Sequence, residues 1–248
     1  LARSAEPRSK SGVGGQRKRG NTFSQSVFCH CKMQKHMLRL CKQEGGIFVN
    51  LQEYEKVRDF TYLEYCDYLQ QKYGIGRGNY MTKSWNKNPK VSRTKEGLVA
   101  HHKFEDHAIM LADKDFAMQN PFEWQLAENI VYCDYLEHLF LHILICENPA
   151  VEKNVFEAVG IGGVVNFLVP ELNDVFSGWK TNQTWRETCH NAIKDDKEVY
   201  MALLKRFKTT CRKHPLYTEN CLYTSFNDAY GLWAKQKNSR LFKEISQL

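Results

Sequence analysis

Residues 128–149 read "ENIVYCDYLEHLFLHILICENP", and two features of this stretch decide how the chain is read. The first is a change of period. Asn129–Cys133 is β-branched and aromatic, as a short strand requires. Asp134 followed three residues on by Glu137 is the D-x-x-E pattern of a helix start, and Pro149 marks the exit of a helix that runs to about Cys146. The second feature is His138 and His142, four residues apart and therefore on one helix face. Leu136, Leu139, Phe140, Ile143 and Leu144 already supply an apolar face. The two imidazoles are not needed as filler, and such a pair is half of a divalent-metal site.

Upstream lies "GLVAHHKFEDH", residues 97–107, with His101 and His102 adjacent. Five of the nine histidines fall between positions 101 and 142. Neighbours at a strand end point to opposite sides, so one of this pair can ligate while the other serves as a base. Glu105, Asp106 and His107 follow closely; ordinary surface charge is the first reading for each, an orienting partner for an imidazole the second. His190 and His214 stand alone and read as surface residues.

The combination "LVAHH" then "ENIVYCDYLEHLFLH" resembles the HNH endonucleases, the ββα-metal or His-Me finger nucleases. The likeness covers roughly residues 100–145. It implies a β-hairpin and a helix gripping one catalytic divalent ion. His102 would be the general base, His101, His138 and His142 the metal ligands, and Asn129 the residue that holds the hairpin loop so that His102 is aimed. The spacer between His102 and Asn129 is longer than in compact members, and the CxxC pairs of many members are absent. Three histidines suit Zn²⁺, Ni²⁺ or Mn²⁺ better than Mg²⁺, and the metal is left open among all four.

Charge is unevenly placed. The chain carries a net +7, with +5 in residues 1–20 and +7 between Lys72 and Lys95, where no acid occurs. The second run, with Lys83, Lys87, Lys90, Arg93 and Lys95, favours contact with a polyanion, duplex DNA above all; Tyr80 and Trp85 are its packing or stacking groups. Its glycines at 74, 76 and 78 do not form a dinucleotide fingerprint. Nine cysteines without a C-x-x-C pair read as apolar filler in a reduced, cytoplasmic protein. No apolar signal core or membrane span is expected, and self-association into a homodimer is compatible with the sequence.

The expected fold is mainly α with a small ββα-metal finger, α+β overall. Four regions follow: a basic tail with no expected order over 1–20, a helical N-terminal region with its basic loop over 21–95, a nuclease core over 96–148, and a helical region over 149–248. Helices are expected at 24–44, where "CHCKMQKHMLRLC" reads as a helix face rather than a zinc finger, and at 51–72, capped by Asn50 with Glu53. "AVGIGGVVNFLVPEL" reads as buried packing. The expected activity is metal-dependent hydrolysis of DNA phosphodiesters, with a restriction, mobile-element or phage-defence setting by analogy. The rivals are an RNase built on the same finger and a non-enzymatic DNA-binding protein stabilised by zinc.

Overall fold

The computed structural model describes residues 51–226 and 235–248. The basic tail, the 24–44 helix and the Asn50 cap lie outside the described residues. The first described helices are α1, Leu51–Val57, and α2, Tyr62–Tyr73. The sequence reads as one helix over 51–72, but Thr61 breaks it. Its hydroxyl accepts from the Glu64 amide, and Glu64 Oε2 accepts the Thr61 amide at 2.9 Å, a capping box that starts α2 afresh. α2 buries Tyr62, Tyr65, Cys66 and Leu69, one helical stripe.

The sheet has two strands, β1 at Val99–His102 and β2 at Ile130–Cys133. They pair antiparallel, with His101 opposite Val131 and His102 opposite Ile130. Opposite residues share a face, and faces alternate along each strand. Val131 and Cys133 belong to the large helical core, whereas Ile130 and Tyr132 belong to a smaller core with Tyr80, Met81, Val91 and Leu98. His101 is therefore turned toward the helices and His102 toward the loop layer. The link between the strands holds a short helix, α3 at Lys114–Ala117, and 3₁₀ turns at Lys103–Asp106, Phe122–Gln125 and Ala127–Asn129.

β2 runs directly into α4, Tyr135–Glu147. The Asp134 carboxylate accepts from the Leu136 and Glu137 amides, both at 2.8 Å, and Glu137 Oε2 accepts the Asp134 amide at 2.8 Å. α4 is buried nearly all round, as befits the central helix of the molecule. Around it pack α5, Ile161–Gly163, which continues through a π-helical turn at Val164–Leu168 into α6, Val169–Ser177. α7, Thr184–Ile193, and α8, Lys197–Cys211, also pack on α4, while α9, Lys235–Ser246, lies against α6. The described residues are thus mostly helical with one small antiparallel sheet. Among the described residues no helix is long and apolar enough to cross a membrane.

Candidate metal centre

β1, the turn after it and α4 bring His101, Glu105, His138 and His142 together. One donor atom from each lies within 4.8 Å of the others. Glu105 Oε2 is 3.3 Å from His101 Nδ1 and 3.1 Å from His142 Nε2. A tetrahedral ion with bonds of about 2.0–2.1 Å sets its donors roughly 3.4 Å apart, so the set needs only modest contraction.

Tyr62 fixes the tautomer of His101. Its hydroxyl lies 3.0 Å from the Lys103 carbonyl oxygen and 2.8 Å from His101 Nε2. A carbonyl can only accept, so the phenol gives its proton there and accepts from His101 Nε2–H. The lone pair of His101 is then on Nδ1, facing the Glu105 carboxylate. Two electron-rich atoms meet, an arrangement that a cation between them relieves. His138 Nε2 is likewise buried with no hydrogen-bond partner. Buried polar nitrogens are rarely left so, and these fit a metal. The four residues can therefore hold a divalent ion.

Electrostatics favour the same protonation states. Burial, with His142 and His101 adding to it, holds the His138 imidazole well below its usual range. Burial also lowers His101, against the pull of Glu105. Burial pushes the Glu105 carboxyl up, and a proton on any imidazole around it, His101 first, outweighs burial and holds it well below the usual carboxylate range. Neutral imidazoles and an ionised carboxylate are the forms that ligate.

His102 sits on the other side of β1, fully buried, with its ring 4.5 Å from that of Tyr80. Gln125 donates to the Leu111 carbonyl at 3.1 Å, which turns its amide oxygen toward His102 Nε2 at 3.2 Å. His102 Nδ1 then faces Glu105 Oε1 at 3.5 Å. His102 reaches the donor cluster only through Glu105. The Asn129 amide donates to the Glu123 carbonyl at 2.7 Å, closing the turn that carries Gln125. Its link to His102 is therefore indirect.

Comparison of the chain with protein-family models, with curated proteins and with solved structures finds no match.

A cavity of about 430 Å³ adjoins the donors, with Glu105, His138 and His142 in one wall. Residues of α5 and the π turn, including Gly163, Asn166 and Phe167, also line it. The glycine-rich stretch read as buried packing thus borders the site. Gly163 is there for room: a Cβ on it would stand 2.3 Å from His142 Cε1 and Nδ1.

Further readings change. Glu105, whose first reading is surface charge, has a side chain only 14% exposed and lies among three imidazoles. His190, read as a surface residue, is buried and paired with Glu171, which also takes both arms of Arg186. In the basic segment Lys83, Lys87, Lys90 and Lys95 are exposed. Arg93 instead turns inward, donating to the Tyr73 carbonyl and Glu96 and lying over the Tyr132 ring. Tyr80 and Trp85 pack against His102 and Phe122. Asp106 pairs with His107 at 2.5 Å, apart from the cluster.

Proposed function

We propose that this chain is a metal-dependent endonuclease of the ββα-metal, or HNH, type that hydrolyses DNA phosphodiester bonds. The observation that carries the reading is the convergence of His101 from β1 with His138 and His142 from α4, across an antiparallel pair that feeds straight into that helix, beside an accessible cavity. A divalent ion bound there would supply Lewis acidity to the phosphoryl group and the leaving oxygen. His101, His138 and His142 would hold it, a set that suits Zn²⁺, Ni²⁺ or Mn²⁺. With three protein ligands, such an ion would keep a position for substrate.

The chain's own residues do the rest. Glu105 presents Oε2 to the donors and Oε1 to His102, so it is the first acceptor for a proton lost by an attacking water. His102 gives its Nε2–H to the Gln125 oxygen and turns a bare Nδ1 to Glu105 Oε1, so it can take that proton on from the carboxyl. Glu105→Gln should lower cleavage of plasmid DNA by about 10²–10⁴, the usual loss for a general base, with metal affinity largely kept. His102→Ala should cost less. If His102→Ala is the more severe and Glu105→Gln is mild, His102 is the base, as the family resemblance implies.

A second reading follows from the closeness of all four donors. If Glu105 ligates, the set is a closed tetrahedron and a structural zinc in a non-enzymatic protein. Glu105→Gln would then weaken metal binding and lower the melting temperature, and the wild type would cleave neither DNA nor RNA with any of Mg²⁺, Mn²⁺, Ni²⁺ or Zn²⁺.

A further inference from the structure

The cavity beside the donors has the size of a small-molecule site, about 430 Å³ against the roughly 300–1,000 Å³ of such pockets. No Lys or Arg lines it. Its one acid besides Glu105, Glu171, is tied down by Arg186 and His190. The walls are otherwise mainly apolar, with Val99, Ile109, Met110 and Tyr135 among them. They offer nothing to a second phosphate and much to the neutral part of a nucleotide. The lining includes part of the π turn, an irregularity that is rare and frequent at functional sites. Its consecutive residues Asn166 and Phe167 both line the cavity and both are exposed, Phe167 by 56%. An exposed aromatic face beside a free-standing amide is the pairing by which proteins hold an unstacked base: the ring stacks, the amide meets the base edge.

We propose that this cavity takes one unpaired nucleobase of the DNA strand being cut, stacked on Phe167 and held at its edge by Asn166, with the adjoining phosphodiester at the donors. The proposal rests on the nuclease reading and narrows its substrate. In continuous duplex the base is stacked and paired and has to be extruded at a cost, whereas a single strand, a flap or a bulge offers it freely.

The test uses the full chain without metal, so that nothing is cleaved. Fluorescence anisotropy would compare one labelled DNA sequence as single strand, as duplex, and as duplex with one unpaired base. The single strand and the bulged duplex should bind on the order of tenfold more tightly than the plain duplex. Phe167→Ala should remove about tenfold of single-strand affinity, in line with the stacking of one base, and leave duplex affinity alone. Phe167→Trp should restore it. Zinc titration of Phe167→Ala should match wild type, which shows the donors intact. Equal binding of single strand and duplex, or an unchanged single-strand affinity in both Phe167→Ala and Asn166→Ala, overturns the proposal, as does stronger binding of the matching RNA strand. The two readings fail separately. Phe167-dependent binding without cleavage under any metal removes the nuclease and keeps the pocket. Cleavage of plain duplex that is indifferent to Phe167 removes the pocket and keeps the nuclease.

Discussion

His142 is held in place by an absence, the missing side chain of Gly163. That glycine has ordinary helical backbone angles, so alanine there would cause no backbone strain, only a collision with the imidazole. Gly163→Ala should therefore displace His142 and weaken zinc binding by about 10–100-fold, the loss seen when a ligand's orienting contacts go. Gly162→Ala is the control: its Cβ would meet Ala158 at a tolerable 3.3 Å and no histidine. Calorimetry on both variants decides it. Protonation gives a second expectation. His138 and His101 are depressed in the folded state, while the unfolded chain takes up protons at about pH 6.5. Below that pH the unfolded state binds more protons, so metal-free stability should fall as pH drops from about 6.5 toward the depressed values. Glu105 adds a loss only further down, below the ordinary range for its acid, because its folded value is also depressed. Denaturant midpoints at neutral and mildly acidic pH would show the decline, and His138→Leu should flatten it. His138 and His142 are legible because helix spacing is a rule of sequence. Glu105 and Gly163 are not. Glu105's carboxylate enters through a 3₁₀ turn with no apolar period to betray it, and Gly163 matters only through a neighbour on another helix.

The elements explain where reading by pattern works and where it stops. The D-x-x-E signal at Asp134 locates α4 to within a residue or so, because a cap is a local interaction. The same kind of signal, T-x-x-E at Thr61, marks the start of α2, yet the apolar run on both sides of it reads as one helix; period masks punctuation. His190 escapes a sequence reading for another reason, since its partner Glu171 lies on a different helix. Asp134 also makes an element-scale prediction. Asp134→Ala leaves two amides at the start of α4 without their acceptor, and cap losses typically cost about 0.5–2 kcal/mol. The first turn it caps leads directly to His138, so a lower melting temperature should come with weaker metal binding. Destabilisation with unchanged metal affinity would mean that the packing of α4 alone positions its histidines.

Across the molecule, charge and metal donors occupy different places. Lys83, Lys87 and Lys90 are exposed on the loop layer that packs against the His102 face of the sheet, whereas the donors lie on the helical face. Any strand bound at the donors has to extend beyond them to meet these cations. Changing all three to Gln should then flatten the salt dependence of DNA affinity by about 0.7–0.9 in log–log slope for each phosphate no longer neutralised, with zinc binding untouched. An unchanged slope would place the phosphate-binding groups elsewhere. The placement of the donors has a further consequence. They come from a strand, a turn and a helix that only the folded chain brings together, so the unfolded chain offers no equivalent set. A metal held there would act as a ligand of the native state alone, and each tenfold rise in free ion above the dissociation constant would add about 1.4 kcal/mol to the unfolding free energy. With a metal bound there, the protein would have a working lifetime set by metal supply: chelation would expose it to unfolding and proteolysis, and repletion would protect it.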